Sequence, residues 1–106
     1  MATKTKSSSA PVKKKIFVVD DHPMTRLGQV ETLNREADLA VCGQAGTARE
    51  AMDAISRLKP DVLLMDLTLP DKEGLELIKD VQALHAGLPV LVCSMHDEVL
   101  DRKSVV

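Results

Sequence analysis

The chain is nearly without aromatic side chains: Phe17 is the only one, and there is no Tyr or Trp. Its core must therefore be built from Leu, Val, Ile, Met and Ala. Cysteine is scarce too. Cys42 and Cys93 stand inside apolar runs with no CxxC spacing and no nearby His pair, and they read as buried, reduced thiols. No apolar run approaches the roughly 18–20 residues of a membrane span, and the polar start is not a signal peptide. A cytoplasmic protein without a membrane partner is the expectation. Basic residues are lacking where nucleic acid would need them. Residues 1–15 hold five Lys and no acid, which leaves nine of the 14 basic side chains against all 16 acidic ones in 16–106, a balance of −7. An acidic body argues against direct nucleic-acid binding.

What is present fits one domain: 106 residues, 44% of them hydrophobic. Residues 1–14 are Ser-, Thr- and Lys-rich without hydrophobic period, and read as a disordered basic leader. Ile16-Phe17-Val18-Val19 is a short apolar run that stops on Asp20-Asp21. His22-Pro23 breaks it, and Met24, Leu27, Val30 and Leu33 at helical spacing predict a helix over about 23–36. Leu39 to Gly43 predicts a weaker strand at a sheet edge. Thr47 with Glu50 three residues on is a capping-box pattern, opening a helix with the stripe Ala48, Ala51, Met52, Ile55, Leu58. Val62-Leu63-Leu64-Met65, bounded by Pro60 and Asp66, predicts a strand buried on both faces. Leu75, Ile78, Val81 and Leu84 mark a third helix ending near Ala86-Gly87, and residues 89–94 a fourth strand ending in Ser94. Alternating strands and helices mean βα units on a mostly parallel sheet.

A charge at the end of a buried strand is costly unless something there uses it. Two buried strands end in carboxylates, Asp20-Asp21 and Asp66, and ligands of open parallel sheets bind beyond the carboxyl ends of strands. A single Asp after a strand is ordinarily a turn or a helix cap. Three converging anions repel unless a cation neutralises them, and carboxylates with a backbone carbonyl, which Thr68 could supply, suit Mg²⁺. Asp66 could then act as nucleophile toward a phosphoryl group. His22, His85 and His96 lack metal-ligand spacing and read as surface or loop residues.

Val18-Val19-Asp20-Asp21-His22-Pro23, the stretch 61–70 with Gly74, and Val90-Leu91-Val92-Cys93-Ser94 together resemble a response-regulator receiver domain, most closely the nitrate-regulator/LuxR-type subfamily. The resemblance covers about residues 14–100. It implies an α/β, flavodoxin-like, doubly wound parallel sheet of strand order 2-1-3-4-5. It implies Asp66 as phosphoacceptor, Mg²⁺ on Asp21, Asp66 and the Thr68 carbonyl with Asp20 assisting, and Ser94 as switch hydroxyl. It also implies a sensor histidine kinase as phosphodonor, and a signalling part in transcription regulation that is not enzymatic.

The sequence departs from that pattern after Ser94. A receiver's Lys, some twenty residues on, has no counterpart, because Lys103 follows Ser94 by nine residues outside any strand-like run. Strand 5 and helix 5 are missing. The expectation is a receiver domain over 15–100, C-terminally truncated, with 101–106 a non-native tail. Strand four would then lie at an open sheet edge, and self-association or segment exchange through 89–94 follows. A receiver too incomplete to signal, acting as an interaction fragment, is the alternative function. A Mg²⁺-dependent phosphohydrolase is disfavoured, since Thr68 stands where an acid/base carboxylate would be needed.

Overall fold

The structure, a computed structural model, describes residues 12–93 and the backbone of Ser104–Val105. Residues 1–11, Ser94, residues 95–103 and residue 106 lie outside the described residues. The elements are β1 (Lys14–Val19), α1 (Pro23–Asn34), β2 (Leu39–Ala45), α2 (Ala48–Leu58), β3 (Val62–Met65), α3 (Gly74–Leu84), β4 (Val90–Val92) and β5 (Ser104–Val105). β1 thus takes in Lys14, the last residue assigned to the leader. The sheet runs in the order β2-β1-β3-β4-β5, with the first four strands parallel. This is the flavodoxin-like arrangement expected, with β2 at an edge. The parallel fifth strand and fifth helix of that arrangement are absent among the described residues.

The two faces of the sheet follow from alternation along the strands. Phe17, Val19, Leu63, Met65 and Val90 point to one side and form a single core with Ala48, Ala51 and Ile55 of α2 and Leu77, Ile78 and Val81 of α3. Phe17 is fully buried there. Its ring lies where Gly43 leaves room: a Cβ on Gly43 would stand 2.8 Å from both Phe17 and Leu58. The β1–β2 register slips between Ile16 and Phe17, passing over Cys42. α1 belongs to the other face and buries none of its residues completely.

Three expectations are corrected. Met24 and Leu27 of α1, and Leu75 and Leu84 of α3, are exposed, whereas Leu77 is buried. Steps of three residues fall about 60° short of a full turn, so such a stripe drifts off the packed face. The face that packs in α3 is Gly74, Leu77, Ile78, Val81, which advances by three, one and three. The first helix also ends earlier than expected, at Asn34 with Arg35 as its C-cap. Finally, the edge of strand four is not open. Ser104–Val105 pairs antiparallel with β4, Leu91 opposite Val105 and Val92 opposite Ser104, which satisfies backbone groups the strand would otherwise expose. The pairing meets Leu91 and Val92, so the fully unpaired edge from which self-association through 89–94 was expected is not observed. Among the described residues no helix is long and apolar enough to cross a membrane.

Candidate functional site

The site lies where β1 and β3 end side by side. All three ladders, β1–β2, β1–β3 and β3–β4, continue one residue past the last strand position. Asp20 N donates to the Ala45 carbonyl at 3.0 Å, Asp66 N to the Val19 carbonyl at 2.9 Å, and Cys93 N to the Met65 carbonyl at 2.9 Å. The two aspartates are therefore held by sheet hydrogen bonds and not by a mobile loop. The chain leaves β1 toward β2 on one side and pairs β1 with β3 on the other, so this is the point where strand order reverses.

Asp20 and Asp66 are 1% and 2% exposed, the only buried charged residues among those described. Asp21 joins them with its side chain 30% exposed. Some of their oxygens have partners. Asp20 Oδ1 accepts from His22 N at 2.9 Å, and Asp66 Oδ1 accepts from Thr68 N at 3.2 Å and from Thr68 Oγ1 at 3.1 Å. The others do not: among the described residues no hydrogen bond reaches Asp20 Oδ2, Asp21 Oδ1 or Asp66 Oδ2, although all three are buried. Buried oxygens of charged groups without donors are costly, and three in one hollow require a reason.

His22 stands over this hollow. Its ring Nδ1 is 3.0 Å from Asp20 Oδ1, 3.0 Å from Asp21 Oδ1 and 3.6 Å from Asp66 Oδ2. A carboxylate only accepts, so Nδ1 carries the hydrogen, and the bond it makes is to Asp20. Its approach to Asp21 Oδ1 is a charge contact, since among the described residues no hydrogen bond reaches that oxygen. The Asp20 hydrogen bond, then the charge on Asp21, hold the imidazole above its ordinary 6.5. Asp20, Asp21, His22 and Asp66 each offer one ligand atom, all within 4.8 Å of one another.

The surroundings are fixed from three sides. Arg26, one turn into α1, donates through its terminal nitrogen to the Asp20 carbonyl at 2.6 Å and through Nε to Gln44 Oε1 at 2.9 Å. Asp71, in the loop after β3, accepts from Ala48 N at 2.9 Å and Arg49 N at 3.1 Å, and so caps α2 from outside that helix. The Ala48 hydrogen bond is the main reason its carboxyl lies below the ordinary 3.8. Thr47 caps the same helix by accepting from Glu50 N at 3.2 Å, while the Glu50 carboxylate reaches back to Gly46 N at 3.2 Å. Gly74 closes the loop: its N donates to the Leu67 carbonyl at 3.0 Å, and a Cβ there would stand 2.6 Å from Leu67 Cα. Only glycine permits that approach.

Asp20, Asp21, Asp66 and Thr68 therefore come together as the strand ends implied, and Ser94 lies outside the described residues. His22 was read as a surface residue and is the group nearest all three acids; its place directly after Asp20-Asp21 was the available signal. Arg26 is one helical turn from His22, a spacing that could have pointed to it. Asp71 gave no local signal, because its partners are more than twenty residues away. Both cysteines are reduced and half-buried, Cys93 Sγ accepts from Gln29 Nε2 at 3.8 Å, and burial pushes both thiols up from 9.0.

The family model "Response regulator receiver domain" matches residues 16–106. The chain is 38% identical over 82 residues to the DNA-binding transcriptional activator DevR/DosR of Mycobacterium tuberculosis, covering 77% of this chain and 38% of that protein. It is 32% identical over 81 residues to the chemotaxis protein CheY of Thermotoga maritima, covering 76% of this chain and 67% of that one. Among solved structures it is similar to the signal receiver domain of the putative response regulator NarL from Mycobacterium tuberculosis. There the TM-score is 0.76 at 34% identity, over 84% of this chain and 72% of the other. The chain thus spans well under half the length of the Mycobacterium tuberculosis activator it matches.

Proposed function

Since the chain belongs to the response-regulator receiver family, we propose that Asp66 accepts a phosphoryl group from a phosphohistidine of a sensor histidine kinase. One observation carries this reading: Asp20 and Asp66 lie buried side by side with Asp21, and each of the three has an oxygen that no donor reaches among the described residues. Thr68 holds Asp66 Oδ1 through two hydrogen bonds, which fixes the carboxylate with Oδ2 toward the other two acids. In the transfer an Asp66 O–P bond forms as the N–P bond of the phosphohistidine breaks, and the histidine nitrogen keeps the electron pair. The oxygen-rich donor set fits a hard divalent cation, and Asp21, Asp66 and the Thr68 carbonyl would hold Mg²⁺ with Asp20 acting beside it. Bound there, the ion would offset charge on the transferring oxygens. Ser94 would serve as the switch hydroxyl.

A second reading is an interaction fragment that does not signal. What favours it is that no lysine among the described residues forms an ion pair with Asp66. Intact-mass measurement after incubation with acetyl phosphate and Mg²⁺ separates the two. The phosphoacceptor reading expects a gain of one phosphoryl group, absent from Asp66→Asn. An unmodified wild-type chain would leave the fragment reading.

A further inference from the structure

We propose that His22 is an internal competitor for the divalent cation: its ring Nδ1–H sits among the three carboxylates, and the cation enters only as the ring swings out. The inference rests on the cation site described above and adds the residue that sets its affinity.

The geometry has three parts. First, a single ring nitrogen is within 3.0, 3.0 and 3.6 Å of oxygens from Asp20, Asp21 and Asp66. Two of those, Asp21 Oδ1 and Asp66 Oδ2, are among the oxygens that no hydrogen bond satisfies. A Mg²⁺ ion needs them at about 2.0–2.1 Å. Second, the nitrogen faces the hollow with a hydrogen and not a lone pair, because its hydrogen-bond partner is a carboxylate. A donor hydrogen turned toward a cation is repelled, so the ring in this position opposes the ion instead of ligating it. Third, the ring has an open side: His22 is the N-cap residue of α1, its side chain makes no capping hydrogen bond, and 48% of that side chain is exposed. Its backbone N stays on Asp20 Oδ1 at 2.9 Å whichever way the ring turns, so the start of α1 and the Asp20 carboxylate keep their places.

The ring therefore does for the empty hollow part of what the cation does for the filled one: it brings a positive hydrogen to anions packed too closely. Displacing it forfeits the charge-assisted hydrogen bond to Asp20 at a partly exposed position, and that bond contributes about three- to tenfold in affinity. Unlike a carboxylate at this position, which would add a ligand, or an alkyl group, which would add nothing, the imidazole lowers affinity for the ion it sits beside.

The test is Mg²⁺ binding by calorimetry at one fixed pH on the whole chain, as wild type, His22→Ala, His22→Phe and Asp21→Asn. We expect His22→Ala to bind Mg²⁺ about three- to tenfold more tightly than wild type, and His22→Phe, which keeps a ring but has no N–H, to tighten as well. Unchanged or weaker binding by His22→Ala overturns the proposal, weaker binding meaning that the ring is a ligand. Wild-type affinity in His22→Phe also overturns it. Asp21→Asn tests the site itself. If wild type binds no Mg²⁺, the cation site fails and the competitor with it. If wild type binds, Asp21→Asn does not, and His22→Ala matches wild type, the competitor alone fails. The wild-type chain offers a direct readout: the His22 ring nitrogen resonances should move with the same midpoint as Mg²⁺ binding, and resonances that stay still contradict displacement.

Discussion

β3 is bracketed by two aspartates that lead opposite lives. Asp61, before the strand, is exposed, and its Oδ2 accepts from Lys15 N at 2.8 Å while its own N donates to the Lys15 carbonyl at 2.8 Å. It fastens the start of β3 to the start of β1. Asp66, after the strand, is buried and keeps one oxygen that no donor reaches among the described residues. Both are the same residue type at the two ends of one strand, five positions apart. The difference teaches how to tell an acid that stabilises the fold from one the fold tolerates. Asp61 and Asp71 are exposed and backbone donors meet them; Asp20 and Asp66 also accept from a backbone N–H each, but both keep a buried second oxygen that no donor reaches among the described residues, so their charge is compensated only in part and the chain retains them at a cost in stability.

The comparison predicts opposite signs. Asp20→Asn keeps an acceptor for His22 N and replaces the orphaned oxygen by an amide that donates toward Asp21 and Asp66. It should raise unfolding free energy in cation-free buffer by on the order of 1–3 kcal/mol. The same change at Asp61, whose acceptor is already used, should give no gain; denaturant unfolding of both variants checks the pair. A gain at Asp61 and a loss at Asp20 would break the distinction.

A smaller effect is expected from Asp71→Ala, which strips a cap from α2. The folded carboxyl lies below its ordinary 3.8, so the stabilisation is fully present above 3.8 and fades as pH falls through the folded value. Wild type should therefore melt above the variant at neutral pH, and the two curves should converge in acid. Thermal melts from pH 7 downward measure this, and a gap that widens in acid would contradict the capping role.

Most of the fold was legible in local pattern. Apolar runs ending in Asp20-Asp21 and Asp66 gave β1 and β3 their ends, although β1 begins at Lys14, β2 runs on to Ala45 and β4 is the shorter Val90–Val92, and the Thr47 to Glu50 signal gave α2 its start. The acids of the site were legible for the same reason, since a charge closing an apolar run is visible without coordinates. What could not be read depends on distance in space. The Asp71 cap joins residues more than twenty apart. The Ser104–Val105 strand forms on β4 because that edge offers backbone partners, not because two residues announce a strand. The helix faces were misjudged because spacing by three looks helical over two turns and drifts over four. His22 was passed over because histidine was sought as a ligand at metal spacing, when its position among acids makes it a donor.

The account's central claim is that the Asp20, Asp21 and Asp66 hollow is a site of partly uncompensated charge built for a divalent cation. Denaturant unfolding of wild type and Asp66→Asn, each with and without Mg²⁺, tests it most directly. Without Mg²⁺ the Asn variant should be the more stable. With Mg²⁺ in tenfold excess over its dissociation constant, wild type should gain about 1.4 kcal/mol and the variant little, so the gap narrows or reverses. Equal response of both proteins to Mg²⁺, or an Asn variant less stable than wild type in cation-free buffer, would contradict the claim.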